Sequence, residues 1–197
     1  VYLNATQAGK SILFEGNSTF NGLDVQAHSG VTIEGDLTID TSNLSIDAGT
    51  DLTFSSGATL SSAQDLTLDA STGSIEGLGA VSLSAGNNLS IEQNFNTVGD
   101  LSLESGDNSV GAGNVSLNAG STINTQGSNL TVSAKGLTLN GSIDTGSGDL
   151  ILGVYDSGRD ISLGNASSGL VVTNDELSRV TTTNAYFGDS NSGNILV

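Results

Sequence analysis

Twelve times along this chain an apolar residue, a Ser or Thr, and a second apolar residue stand in a row. The series runs from Val31-Thr32-Ile33 and Leu37-Thr38-Ile39 through Leu66-Thr67-Leu68 to Leu137-Thr138-Leu139 and Ile161-Ser162-Leu163. Alternation with period two places both apolar side chains on one face of an extended segment and the hydroxyl on the other. That is the pattern of a short strand with one buried face. Gly, Asn or Asp bounds each copy, and these residues tolerate the backbone conformations of tight corners. There is no Pro in 197 residues. A chain whose strands are all central would exclude Pro, because each one would delete a ladder donor.

A finer repeat joins one strand to the next. Ser45-Ile46-Asp47-Ala48-Gly49 recurs as Ser82-Leu83-Ser84-Ala85-Gly86 and as Ser116-Leu117-Asn118-Ala119-Gly120. Strand, Gly corner and new strand thus follow one another about every 7 residues. A coarser period is also visible. Asp51-Leu52, Asp100-Leu101 and Asp149-Leu150 are each 49 residues apart, with strand starts between them at separations of 14, 15 and 20. Seven strands per period do not divide by three, so one segment of each period is expected to be loop.

Strands this short with such short corners leave no room for helical crossovers. Asn-Gly, a favoured hairpin dipeptide, occurs only at Asn21-Gly22 and Asn140-Gly141, too seldom for a hairpin at every corner. The remaining solution is an all-β coil that turns a corner every few residues and stacks equivalent strands in parallel, a parallel β-helix or β-solenoid. At roughly 20–22 residues per turn and ~4.8 Å per coil, residues 1–197 form a single rod of about nine coils near 40 Å long. Leu, Ile and Val fill its interior, and the intervening Ser and Thr face solvent. Thr173-Asn174-Asp175-Glu176-Leu177 predicts one short helical turn near 174–180, with Thr173 or Asn174 as N-cap and two acids in the first turn. The strand pattern resumes at Ala185-Tyr186-Phe187 and ends in Ile195-Leu196-Val197, which would be an unprotected stacking edge. That edge, and a start at Val1 without Met, lead to the expectation of a fragment of a longer repetitive protein.

The charge balance is 4 Lys and Arg against 21 Asp and Glu, a net −17. Only 13% of residues are charged, about half the usual share, so the acidity reflects missing bases. Duplex nucleic acid needs clustered cations, as does an anionic membrane surface. Neither fits, and no apolar run reaches the ~18 residues that span a bilayer. Without Cys, and with His28 as the one His, there is no disulfide, thiolate zinc site or two-His motif.

Asp36, Asp40, Asp47, Asp51, Asp65 and Asp69 recur near corners. Stacked coils would align some of them, and aligned carboxylates bind Ca²⁺. The competing reading, corner capping, is favoured because the Gly-Gly-x-Gly-x-Asp calcium repeat is absent. A paired-carboxylate glycosidase is a third reading. It is opposed by the scarcity of bases, which are Lys10, Lys135, Arg159 and Arg179. His28 reads as an exposed turn residue. The Asn-x-Ser/Thr sites at Asn4, Asn17, Asn43, Asn88, Asn114, Asn129, Asn140 and Asn165 read mostly as corner Asn. Tyr2, Tyr155 and Tyr186 are too scattered for a sugar platform, and Thr181-Thr182-Thr183 is no regular ice-binding array. No catalytic, cofactor-binding or metal-ligating residue is assigned, and the chain is expected not to be an enzyme.

The Leu-Ser/Thr-Leu-x-Ala-Gly repeats, with the stretch from Gly169-Leu170 through Glu176-Leu177 to Gly188-Asp189-Ser190, resemble the haemagglutinin-repeat shafts of filamentous-haemagglutinin-like bacterial surface adhesins. These are proteins of the two-partner-secretion or autotransporter type, and the resemblance covers Val31 to Val197. It implies a right-handed β-helix, export across a Gram-negative outer membrane to the cell surface, and a role in adhesion or biofilm. The partners it implies are glycans or proteins of a host or neighbouring cell. End-to-end self-association into a fibre is the alternative, and a carbohydrate-active enzyme a more distant one. The family supplies no catalytic residue to carry over.

Overall fold

The computed structural model describes residues 1–106, 113–164 and 167–197. The chain is a parallel β-solenoid with three long sheets. The first stacks Tyr2–Ala5, Leu23–Ala27, Leu44–Ala48, Leu66–Ala70, Leu89–Ile91, Asn114–Leu117 and Gly136–Leu139. The second holds eight strands from Ile12–Phe14 to Val180–Thr181, and the third eight from Ser18–Phe20 to Asn184–Phe187. Every strand pair among the described residues is parallel, and as far as Asp149–Val154 each strand from Leu23–Ala27 on pairs with the one three places before it. Leu44, Leu66 and Leu89 are register partners, spaced 22 and 23 residues apart. All twelve apolar-Ser/Thr-apolar triplets lie in strands.

The count of coils is about seven rather than about nine. The chain leaves the stack after Asp149–Val154 and spends the following residues on an excursion. That excursion carries a fourth, three-stranded sheet of Leu170–Val172, Arg159–Leu163 and Ser192–Leu196. Ile195 and Leu196 therefore do not form a stacking edge of the solenoid; they pair with Ile161 and Ser162. The alternation holds in Leu170–Val172 but breaks in Arg159–Leu163, where Ile161 and Ser162 are both buried. Ser162 is fully buried and bonds the carbonyl of Ser168, whereas Leu163 is half-buried. The short helix spans Asn174–Leu177, with Thr173 as its N-cap.

The 49-residue period is not a coil translation. Leu101, Leu130 and Leu150 share one inward column on the third sheet, so 49 there is a step of 29 plus one of 20. Leu52 lies on the second sheet beside Val31 and Ile75. The match between Leu52 and Leu101 therefore crosses sheets.

Inside the stack, equal residues pile on equal residues. Leu66 and Leu68 are completely buried, and each contributes about 1.5–3 kcal/mol of apolar burial. The fifth strand residue, Ala27, Ala48 or Ala70, is inward and small where the chain bends into the corner. The Gly that follows is required by the neighbouring coil. A Cβ on Gly49 would stand 2.2 Å from the His28 carbonyl oxygen. The intervening Ser and Thr point outward but are half-buried, as at Thr53, Thr67 and Ser90, because the coils above and below cover their flanks.

Like-on-like stacking is interrupted where two aromatic rings from neighbouring columns meet. Phe54 and Phe95 belong to coils two apart, and their rings stack with centroids 6.0 Å apart. The coil between them supplies Gly77 in register with Phe54. A Cβ there would meet Thr97 Oγ1 at 2.6 Å. Thr97, Thr125 and Thr145 continue this edge of the core as fully buried residues. Their hydroxyls donate to the carbonyls of Gly79, Ser128 and Gly148. We expect Leu68→Ala to cost about 2–5 kcal/mol in urea unfolding. Gly77→Val is expected to cost about 1–3 kcal/mol by overpacking. A Gly77→Val protein as stable as the parent would show that the space around Phe54, Phe95 and Thr97 has slack.

Candidate functional site

The acids were the first sequence candidates, and most of those at corners are occupied by the backbone. Ahead of the first sheet, Asn43 Oδ1 accepts the Asp65 N–H at 3.2 Å. Asp65 Oδ1 accepts the Asn88 N–H at 3.1 Å, and Asn88 Oδ1 the Asn114 N–H at 3.3 Å. Ahead of the third sheet, Asn17 accepts from Asp36 and Asp36 from Thr59. Farther along, Asp100 accepts from Asn129 at 2.9 Å and Asn129 from Asp149 at 3.0 Å. Asp149 then accepts from the Asn184 amide at 2.8 Å. Asp51 to Ser74 and Asn94 to Thr122 repeat the device ahead of the second sheet.

Apart from Asp149, which meets the Asn184 side-chain amide, each such side chain reaches a backbone N–H of the coil above at the first residue of a strand or the one before it. The backbone ladder runs out there, and the side-chain oxygen takes the place of the missing carbonyl. The reciprocal bond is present too: the Leu66 N–H donates to the Asn88 carbonyl at 2.8 Å. Asp36, Asp51 and Asp65 from the candidate set are of this kind. Asp40 is exposed at its corner. Asp47 and Asp69 are different, standing in register on the outward face of the first sheet. Asp47 accepts from the Ser71 hydroxyl, while one oxygen of Asp69 is buried without a partner among the described residues.

Asp and Asn alternate in Asp100, Asn129, Asp149 and Asn184, and in none of these staircases does one acid follow another. Two carboxylates one coil apart, at ~4.8 Å, would repel by about 1 kcal/mol in water and more beside protein. An Asn between them keeps the acceptor and removes the charge. Among the described residues no group of three or more His, Cys, Asp or Glu could hold a metal.

Asn17, Asn43, Asn88, Asn129 and Asn140 are corner residues, as expected from sequence, whereas Asn4 and Asn114 lie in strands; Asn165 lies outside the described residues. His28 is exposed, and its Nδ1 accepts the Gly9 N–H at 3.3 Å. No helix among the described residues is long and apolar enough to cross a membrane.

Two arrangements were not visible in the sequence. The first is a seal on the open edge of the first sheet. Leu139 is in its last strand, and no further strand bonds to it. Glu176 Oε1 accepts the Leu139 N–H at 3.0 Å, and Arg179 Nη1 donates to the Leu139 carbonyl at 2.7 Å. The other oxygen of Glu176 accepts the Thr173 N–H and hydroxyl, closing the capping box of the short helix. One carboxylate therefore ends a sheet and starts a helix. The sequence signal was Thr173 with Glu176 three residues on, which marks the helix but not the sheet edge.

The second is a groove of about 700 Å³ on the outward face of the first sheet. It passes Asn88, Ser90, Asn114 and Ser116 on successive coils and ends against Arg159 and Val171 of the excursion. Lys135 also lines it, 3.6 Å from the Asp156 carboxylate.

No family model, curated protein or solved structure matches the chain. Its reading rests on the geometry above. Asp65 accepts three hydrogen bonds, from Asn87 and twice from Asn88. Asp65→Ala leaves the Asn88 N–H without its acceptor and should cost about 1–3 kcal/mol in urea unfolding. Asp65→Asn, which keeps an acceptor, should cost clearly less. Because the corner carboxylates are committed to the backbone, a chelator should leave the melting temperature unchanged. A fall on chelation would restore the calcium reading.

Proposed function

We propose that this chain is a shaft segment of a secreted bacterial surface protein, a rod that presents adhesive regions in cell adhesion or biofilm. The observation that carries the reading is the unbroken stacking of about seven coils, with side chains extending the ladder around the corners. Such a stack is quasi-one-dimensional, each coil resting on its neighbours. A pull along the rod loads many parallel backbone bonds at once. The acidic coat, spread along the length, limits lateral association. The haemagglutinin-repeat pattern of the sequence supports export to the cell surface and a partner among host or neighbouring-cell glycans or proteins. A catalytic role is not part of this reading.

The seal on Leu139 weighs against the fibre alternative, since end-to-end stacking would need that edge free. Glu176→Ala combined with Arg179→Ala exposes the Leu139 N–H and carbonyl. The double variant is expected to self-associate with rising concentration in sedimentation, as unprotected strand edges do, while the parent does so less. Equal association of both would remove the capping role. For the shaft itself, the segment is fused to a bacterial surface anchor and scored for cell-to-cell adhesion. Replacement by an unrelated rod of equal length should preserve the presentation of a terminal adhesive domain. Loss of adhesion with the replacement rod would assign binding to this segment and overturn a purely structural shaft.

A further inference from the structure

We infer that Asn21-Gly22 is a self-modifying site, where the chain converts Asn21 to isoaspartate and aspartate with loss of ammonia. Asn140-Gly141, the same dipeptide, is held back by the fold. This chemistry belongs to the corner and is independent of what the rod carries.

The reaction needs no partner but water. The backbone nitrogen of the residue after an Asn attacks the side-chain Cγ. The new C–N bond closes a five-membered succinimide, and the side-chain nitrogen leaves as ammonia. Water then opens the ring at either carbonyl. Opening at the side-chain carbonyl gives aspartate. Opening at the main-chain carbonyl gives isoaspartate, whose backbone runs through the former side chain and is one carbon longer. The attack is favoured where the following residue has no Cβ to shield its nitrogen, as in Gly. It also needs an N–H free to give up its proton, and a peptide free to turn until nitrogen and Cγ meet. Asn-Gly occurs only at Asn21-Gly22 and Asn140-Gly141, and sequence alone ranks the two alike.

The structure separates them. Asn21 is exposed, and neither its side chain nor the N–H of half-buried Gly22 has a hydrogen-bond partner among the described residues. The Asn21 carbonyl accepts the Thr41 N–H at 3.3 Å and the Thr41 hydroxyl at 2.9 Å. Thr41 is itself exposed, so water replaces these bonds as the peptide turns. The atom nearest to a Cβ built on Gly22 belongs to a side chain, Ser42 Cβ at 3.0 Å.

Around Gly141 the backbone closes in. The residue is buried, and a Cβ there would stand 2.2 Å from the Ser121 carbonyl oxygen and 2.6 Å from that of Asn118. The Gly141 N–H donates to the Leu117 carbonyl at 3.3 Å and the Asn140 N–H to the same carbonyl at 3.1 Å. The Ser142 N–H donates to the Ser121 carbonyl at 2.9 Å. Turning this peptide strains bonds on both sides of it, and a buried, bonded N–H parts with its proton less readily than a hydrated one.

Conversion at Asn21 has a structural consequence. The corner joins Ser18–Phe20 to Leu23–Ala27. On one side the Asp40 N–H donates to the Phe20 carbonyl at 2.9 Å, and on the other the Leu23 N–H donates to the Asn43 carbonyl at 3.2 Å. Those two bonds fix the length of backbone between them. The extra main-chain carbon of isoaspartate breaks the match and loosens the corner from the coil above, whereas aspartate keeps the length.

The test is peptide mapping by mass spectrometry of the purified chain, aged at mildly alkaline pH both folded and unfolded in urea. In urea the two sites are expected to convert alike. In the folded chain Asn21 should convert at least about 10-fold faster than Asn140. Equal rates in the folded chain overturn the inference, as does a ratio that is the same folded and in urea. Hydrogen exchange of the aged chain should be faster at Leu23 and Asp40 than in the fresh chain or in Asn21→Asp. An Asn21→Gln chain aged in parallel, whose longer side chain cyclises slowly, should stay unchanged. Equal exchange in aged and fresh chains with isoaspartate present overturns the loosening of the corner.

Discussion

The structure depends on the inter-coil backbone ladder, and on that ladder being carried through the corners. Strands of this length are too short to stand alone. Each gains its stability from the strand one coil below and the strand one coil above. At a corner the carbonyls turn away, and a buried N–H without a partner costs more than a hydrogen bond usually contributes. Asp36, Asp51, Asp65, Asp100 and their Asn counterparts supply the missing acceptor from the coil below. The pairing is thereby continuous around the coil at these positions, and the Leu, Ile and Val columns inside are held in register by it.

Part of the acidity has a structural use. Corners demand short side chains with an acceptor oxygen, and Asp36, Asp51, Asp65 and Asp100 supply it, as Asn does elsewhere. No two acids follow one another on these staircases, so the backbone is satisfied there without stacking like charges. Where two acids do stack, at Asp47 and Asp69, they stand on the outward face rather than in the corner. The scarcity of bases then makes the positions of the few that remain informative. Arg179 seals a sheet edge, and Lys135 and Arg159 face a groove.

The excursion after Val154 does three things with one stretch of chain. It ends the first sheet through Glu176 and Arg179 and builds the three-stranded sheet that takes in Ser192–Leu196. It also brings Arg159 and Val171 to the end of the groove. A rod made only of repeats would have a uniform surface. Among the described residues, the departure after Val154 carries Arg159 and Arg179.

The sequence by itself determined the class of fold. Period-two triplets with Gly, Asn or Asp corners and no Pro admit a parallel solenoid and little else, and corner capping by Asp and Asn was readable from their places beside strand starts. Sequence also marked the helix at Thr173 and the exposed turn at His28. Only the tertiary structure decided which strands stack on which, because a triplet looks the same on all three sheets. That is why a 49-residue period joins Leu52 to Leu101 although they sit on different sheets. The excursion after Val154, which no repeat announces, takes the residues that would otherwise have made up nine coils rather than about seven. The seal on Leu139 and the groove were illegible for a related reason. The seal joins residues 37 to 40 positions apart, Leu139 with Glu176 and Arg179, the groove joins the first sheet to Arg159 and Val171, and no local pattern encodes which open edge or face a departing segment will meet.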